Sequence, residues 1–240
     1  RLGGGDLRSF VIVLVMGVSA YATISGPLAK VRVKLFPVIP LESSTPPSIS
    51  YLGSQVFGIN PTAVGSIVGI IFIIYGFFNW KNKMTFNSIF WSVIVAVAIV
   101  GGWIGTSWLA TSTYEPIAIQ SFTFVAPVGE AILYAMYGSA INIKFGIGAV
   151  LGVLIGAFLG SIIKGHFRWE ACEDPRELKR QILGASIMGV GAVISLGCSV
   201  GQGLTAFSTL SYSAPLTLLS IYLGARIGLF QLIEGFQPAE

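Results

Sequence analysis

Long apolar stretches separated by short polar segments make up most of this chain. A helix of about 20 predominantly apolar residues is long enough to cross the hydrocarbon core of a bilayer. Five such stretches predict membrane-spanning helices, and they run from Leu7 to Leu28, Pro61 to Trp80, Phe86 to Ala110, Lys144 to Lys164 and Leu216 to Ile233.

Two segments do not fit the pattern of straight spans. The stretch from Phe36 to Asn60 contains four prolines, which a continuous helix does not accommodate, and this predicts a loop outside the bilayer core. The stretch from Ile117 to Tyr137 is apolar, but residues 126–130, with the sequence APVGE, place a turn signal near its middle. We therefore expect a broken or re-entrant segment there.

The composition agrees with a membrane protein. The 240 residues are 54% hydrophobic and only 10% charged, whereas about a quarter of the residues of a typical soluble domain are charged. We predict an all-α, polytopic transmembrane helix bundle with broken or re-entrant half-helices, forming a single integral membrane domain over residues 1–240. The net charge of +4 lies mostly in short loops, so we expect no nucleic-acid partner.

Glycines and basic residues add two details to this arrangement. Gly148, Gly152, Gly156 and Gly160 recur every fourth residue within one span, a spacing that predicts a close helix-helix seam. The loop from His166 to Arg180 is the densest basic loop, and the positive-inside rule places it in the cytoplasm.

Hydrolytic and metal chemistry are not indicated. The chain has two cysteines and one histidine, without metal-ligand spacing and without a Ser/His/Asp set. We predict no enzyme activity, no cofactor, no metal and no structural disulfide. Cys172, in the charged loop, is interpreted as incidental.

The clearest functional signal is the segment of residues 197–203, with the sequence GCSVGQG, inside an apolar stretch. Three glycines with serine and glutamine would expose unpaired backbone groups to hydrocarbon, which proteins tolerate only where the backbone lines a cavity or pathway. A half-helix from Leu204 to Leu210 would follow. Half-helix N-termini offer free N–H donors and a positive dipole end, which favour a small anion.

Cys198 adds a soft, polarizable thiol that can contact a substrate's sulfur, although a small buried hydrophobic role is the alternative. Ser199 and Gln202 could donate to an anion or tie neighbouring helices together. Glu130 in the broken segment could be functional, lie at the interface or pair with a lysine. Arg226 could face a substrate route, snorkel, or pair with an acidic residue.

Several blocks resemble the YeeE/YedE sulfur-transport family of bacterial inner-membrane permeases. The sequence GCSVGQGL at residues 197–204, followed by FSTL at 207–210, is similar to the C-terminal signature of that family. The sequences FRWE at 167–170 and RLGGGDLRS at 1–9 resemble it as well. The resemblance implies uptake of thiosulfate or a related inorganic sulfur anion through a pathway lined by membrane cysteines.

Of those family cysteines only one carries over, to Cys198, and the others would lie before Arg1 or are absent. We therefore expect the chain to be the C-terminal two-thirds of a longer permease, the alternative being that another polypeptide supplies the missing part. Setting Gly17 opposite Gly224 pairs the first span with the last and predicts pseudo-symmetric repeats. The predicted substrate-binding residues are Cys198, Ser199, Gly201, Gln202, Gly203, Glu130 and Arg226.

Two functions from different classes remain open. The first is a bacterial inner-membrane permease for thiosulfate or a related sulfur anion. The second is a membrane anchor without transport activity, which would dock a cytoplasmic sulfur-carrier protein on the basic loop from His166 to Arg180.

Overall fold

The structure, a computed structural model, describes residues 1–36, 48–58, 60–83, 85–113, 118–139, 142–170 and 175–234. Within these ranges every regular element is helical, and the predicted all-α class is confirmed. A short 3₁₀ helix at Leu2–Gly4 is followed by α1 Leu7–Ile24, α2 Pro27–Leu35, α3 Ile49–Phe57, α4 Pro61–Lys83, α5 Phe86–Ser112, α6 Val125–Tyr137, α7 Phe145–Ile163, α8 Pro175–Ile194 and α9 Ser213–Glu234.

Four helices in the described ranges, within α1, α5, α7 and α9, have the length and hydropathy to cross a membrane. A fifth span results if the bent pair Ile49–Val56 and Pro61–Gly76, with an angle of 116° between its halves, is counted as one. Large apolar side chains such as Phe86 and Trp108 remain exposed. Because lipid can cover such side chains and water cannot, the polytopic membrane architecture is confirmed.

The chain forms two compact units. The first unit comprises Arg1–Pro40 and Pro116–Gly201, and it contains α1, α2, α6, α7 and α8. The second unit comprises Leu41–Glu115 and Gln202–Glu240, and it contains α3, α4, α5 and α9.

Helix α1 is the centre of the first unit, because it packs along both α6 and α8. The side chain of Asp6 begins α1 by accepting a hydrogen bond from the backbone N–H of Arg8 at 3.0 Å, as an N-cap does. Ser9 donates to the same carboxylate at 2.7 Å and lowers the pKa of Asp6. The buried core of this unit consists of Met16, Ala20, Val125, Val128, Val150, Ala185 and Val193.

Glycines allow the helices of the first unit to come into backbone contact. A Cβ atom placed on Gly129 would lie 2.7 Å from the carbonyl oxygen of Gly17, and one on Gly189 would lie 2.6 Å from that of Met16. A Cβ on Gly146 would similarly lie 2.7 Å from the ring of Pro127. Contacts this short require residues without side chains, as in other membrane helix pairs.

Within the second unit, the chain after residue 201 contacts α3, α4 and α5. The backbone N–H of Ile49 donates to the carbonyl oxygen of Leu210 at 2.8 Å, and Trp103 Nε1 donates to Ser208 Oγ at 3.3 Å. The rings of Phe72 and Phe207 meet edge to face with centroids 5.5 Å apart. These contacts hold residues 207–210 against α3, α4 and α5.

The first span and the segment after it differ from the prediction. The first span ends at Ile24, not Leu28, because Pro27 begins the separate helix α2 and proline favours the first helical turn. The predicted loop from Phe36 to Asn60 contains the helix α3, so that part of the prediction is wrong. Residues 37–47 and 59 of this segment lie outside the described ranges.

The predicted break at residues 126–130 is also displaced. Residues 118–124 are the non-helical part, and residues 126–130 lie inside the first turns of α6. Pro127 is tolerated there because the first N–H groups of a helix have no partner in the helix. The half-helix is therefore present, and its N-terminal end lies at Val125.

The predicted glycine seam on α7 is not formed within the described part of the chain. A Cβ added to Gly148, Gly152, Gly156 or Gly160 would meet none of the described atoms within 4 Å. Sequence spacing correctly places these residues on one helical face, but the glycine of α7 that makes a close contact is Gly146, which lies outside that repeat.

Two glycines on α8 provide a matched test of the close packing. We expect Gly189→Ala to destabilise the protein by about 1–3 kcal/mol, because the added methyl group meets the backbone of α1. Gly191→Ala should be neutral or mildly stabilising, since nothing lies within 4 Å of its Cβ position and alanine favours helix. Thermal unfolding of the detergent-solubilised variants, followed by tryptophan fluorescence, measures the difference. Equal midpoints for the two variants would contradict the packing described here.

Candidate functional site

Cys198 lies where α8 has ended and a second, shorter helix begins. Helix α8 ends at Ile194, and the chain turns through Leu196, which has a φ of 59°. That value is uncommon for a residue with a side chain. The N–H of Gly197 donates to the carbonyl oxygen of Ala192 at 2.8 Å and closes the turn. Cys198 follows and immediately precedes the short helix at residues 199–208.

The sulfur of Cys198 caps this short helix. The backbone N–H of Gly201, in the first turn, donates to Cys198 Sγ at 3.5 Å. The backbone N–H of Val200 is directed at the same thiol. These groups have no carbonyl partner within the helix because the first N–H groups of any helix lack one.

A second helix N-terminus meets the same sulfur. The backbone N–H groups of Phe124 and Val125, at the start of α6, are directed at Cys198 Sγ. Both helices thus bring their partial positive ends to one atom. The thiol accepts one hydrogen bond, from Gly201, and has the N–H groups of Val200, Phe124 and Val125 near it. Backbone N–H groups at helix N-termini form the type of environment in which proteins bind anions.

Packing within the first unit holds these two ends together. Val125 and Val193, which flank the site on α6 and α8, are both in the buried core. Cys198 is half-buried and packs against that core. Gly201 allows close approach of the segment before α6, because a Cβ at Gly201 would lie 2.7 Å from Thr123 Oγ1.

The predicted residues after Gly201 belong to the second unit. Gln202 is buried, and its Oε1 accepts a hydrogen bond from Ser213 Oγ at 3.1 Å. A Cβ on Gly203 would lie 2.9 Å from the side chain of Leu218, so Gly203 permits α9 to pack closely. Residues 201–206 are wound as a π-helix, an irregularity that is frequent at functional sites.

The remaining predicted residues have different surroundings. Ser199 is exposed at the first position of the short helix. Glu130 in α6 forms an ion pair with Lys144, with 3.0 Å between Oε1 and Nζ. Arg226 is exposed on α9. Their predicted roles in substrate binding stay predictions.

Sequence reasoning missed the second half of the site. The N–H groups of Phe124 and Val125 belong to apolar residues, and only the backbone contributes. Pro127, three residues after Phe124, carried a usable signal, because proline in an apolar stretch marks the first turn of a helix as readily as a break. Nothing in the sequence indicates that this end of α6 lies against Cys198.

Metal binding finds no support in the described ranges, where no three His, Cys, Asp or Glu side chains are grouped to hold an ion. Cys172, interpreted above as incidental, lies outside the residues that the structure describes.

Comparison with known proteins identifies the family of this chain. The sequence profile described as sulphur transport matches residues 1–227, nearly the whole chain. The chain belongs to the sulphur transport family. This confirms the resemblance and the expectation of a multi-pass membrane protein concerned with sulfur transport.

The names of two curated relatives of this chain include a substrate. The chain is 26% identical over 253 residues to the thiosulfate transporter TsuA of Spirochaeta thermophila, an alignment covering 93% of this chain and 67% of the relative. It is 30% identical over 99 residues to the thiosulfate transporter TsuA of Escherichia coli K12, covering 41% of this chain and 28% of that relative. The chain thus spans about two-thirds of the Spirochaeta protein.

The ion pair of Glu130 with Lys144 gives a test of the Glu130 prediction in this sulphur transport protein. If the carboxylate only balances Lys144, exchanging the two charges, Glu130→Lys with Lys144→Glu, should leave labelled-thiosulfate uptake within about twofold of the parent, because exposed pairs contribute less than about 1 kcal/mol. Lys144→Glu alone should lower the amount of folded protein, since it places two carboxylates side by side. If the exchanged variant folds normally but loses uptake, the pair does more than balance charge.

Proposed function

We propose that this chain takes part in moving thiosulfate, or a related inorganic sulfur anion, across the bacterial inner membrane along a pathway that includes Cys198. The observation that carries the proposal is the convergence of two helix N-termini on Cys198 Sγ. The names of the two curated relatives support thiosulfate as the anion.

The two parts of this environment suit the two ends of thiosulfate. The terminal sulfur of the anion is soft and polarizable, and a thiol is a soft, weak hydrogen-bond donor that can contact it. The sulfonate oxygens are strong acceptors for backbone N–H groups such as those of Val200 and Val125. No covalent bond is formed or broken, and the Cys198 proton stays on its sulfur.

The expected strength of anion binding at this site suits passage through a membrane. Helix N-termini provide partial charges of about half a unit each, not the full charge of a lysine or arginine. An ion must bind well enough to leave water and weakly enough to move on. A half-buried thiol between two partial positive ends meets both conditions.

The buried Gln202 and the glycines at 201 and 203 are included in the proposal as parts of the same backbone break. Gln202 is held by Ser213, which keeps its amide in one orientation. Glu130, which is paired with Lys144, and Arg226, which is exposed, are included as predicted binding residues.

The alternative of an anchor for a cytoplasmic sulfur-carrier protein stays a prediction. Residues 171–174 of the basic loop lie outside the described ranges. A membrane anchor would show no thiosulfate flux in liposomes, and its binding to a carrier protein would be lost on neutralising Arg176, Lys179 and Arg180.

Substitution of Cys198 tests the permease proposal. We expect Cys198→Ala to lower labelled-thiosulfate uptake by about 10-fold or more, because a hydrogen bond to a charged group contributes about 1.5–3 kcal/mol. Cys198→Ser should fall between alanine and the parent, since it keeps a polar donor and loses the soft sulfur. Uptake is measured in sulfate-depleted cells lacking their own thiosulfate transport.

Cys172→Ser is the matched control, because it removes the other cysteine of the chain. It should take up thiosulfate like the parent. Unchanged uptake in Cys198→Ala, at equal amounts of protein in the membrane, would refute the role of this thiol.

A further inference from the structure

Thr123 is a hydroxyl residue that the fold places against Gly201, the residue whose N–H donates to Cys198 Sγ. It is the second-last residue of the non-helical segment 118–124, directly before Phe124 and Val125, whose N–H groups face the thiol. On its other side it lies against Gly201, where an added Cβ would be 2.7 Å from Thr123 Oγ1 and 3.1 Å from its Cβ. Gly201 is also the residue that donates to Cys198 Sγ.

The hydroxyl of Thr123 differs from the helical hydroxyls of Thr23 and Ser186 in the first unit. Thr23 donates to the carbonyl oxygen of Ser19 at 2.8 Å, and Ser186 donates to that of Ile182 at 3.0 Å. Such back-bonding needs the free lone pair of a helical carbonyl four residues earlier. The segment before α6 is not helical and offers no carbonyl at that position.

The Thr123 hydroxyl can therefore donate a hydrogen bond to a ligand. Its side chain is half-buried, so it lies at the boundary of the packed core and not inside it. Its hydroxyl is not among the fully buried unpaired atoms of the described residues. A hydroxyl can donate one hydrogen bond and is well suited to an anionic oxygen.

Gly201 contacts both groups, because it packs against Thr123 and donates its N–H to Cys198 Sγ. A side chain at position 201 would displace Thr123, because the conflicting atoms include Oγ1 and the less mobile Cβ. The glycine thus has a second role besides donating its N–H to the sulfur. It brings a hydroxyl, a thiol and two helix ends to one place.

We propose that Thr123 is a specificity-determining substrate ligand, whose hydroxyl donates a hydrogen bond to an oxygen of a sulfur oxyanion while the terminal sulfur of the anion meets Cys198. This inference rests on the proposed function. It selects anions that carry both a bare sulfur and S–O oxygens over sulfur species that lack oxygen.

Two substitutions separate the contribution of the Thr123 hydroxyl to binding from the contribution of the side chain's shape. Thr123→Val keeps the branched shape and removes the hydroxyl, whereas Thr123→Ser keeps the hydroxyl and removes the methyl group. Two quantities are measured for both variants and the parent. The first is equilibrium binding of radiolabelled thiosulfate to the purified full chain, and the second is the concentration dependence of uptake in cells.

We expect Thr123→Val to raise the dissociation constant and the half-saturating concentration for thiosulfate by about tenfold or more. Thr123→Ser should stay within about threefold of the parent. A purely structural role would instead lower the thermal midpoint and the amount of protein, and serine would be affected as much as valine.

The outcomes distinguish this inference from the proposed function. Equal affinity of the parent and Thr123→Val would overturn the role of Thr123 and leave the proposed function standing. Absence of thiosulfate binding and uptake in the parent itself would overturn the proposed function, and this inference with it. If Thr123→Val does not fold, Thr123→Ala compared with Thr123→Ser answers the same question, and equal affinities of those two variants would overturn the inference.

Discussion

The constraint on which this structure depends is that backbone N–H groups at membrane depth need an acceptor. A continuous helix satisfies its own N–H groups, but the two helices that begin at Val125 and after Cys198 each present a free first turn. In this protein both free turns face one sulfur atom. A thiol is a weak acceptor, so these donors keep capacity for a stronger one. In the proposed function, the backbone break that would be costly in lipid is the place where a small anion is stabilised.

Helix α1 makes this arrangement possible although it contributes no atom to the thiol's surroundings. It contacts α6 through Gly17 and Gly129, and α8 through Met16 and Gly189. Because these contacts are between backbones, the positions of α6 and α8 are set by main-chain geometry and not by adaptable side chains. The start of α6 and the end of α8 are consequently fixed relative to each other. Such preorganisation matters for a site made of dipoles, whose effect falls off within the first turn of a helix.

Membership of the sulphur transport family and the chemistry of the site agree with each other. Sulfur anions combine a soft end with hard oxygens, and the proposed site combines a soft thiol with hard N–H and hydroxyl donors. Discrimination through such paired groups requires the ligand to satisfy both at once, which sulfate, with oxygens alone, would not do.

The sequence by itself determined the helical class and the approximate spans, and it predicted a functional break around Cys198, because all three depend on composition along the chain. Lipid as solvent demands long apolar helices, and a cluster of glycine and polar residues at membrane depth marks a break wherever it occurs. Only the tertiary structure showed that the free N–H groups of Phe124 and Val125 lie at the same thiol, and that Thr123 lies beside them. It also showed that the close contacts use Gly129, Gly146 and Gly189, while the regular glycine repeat of α7 meets none of the described residues. Periodicity tells which residues share a face, but which faces meet depends on packing between distant parts of the chain, and no local pattern encodes that.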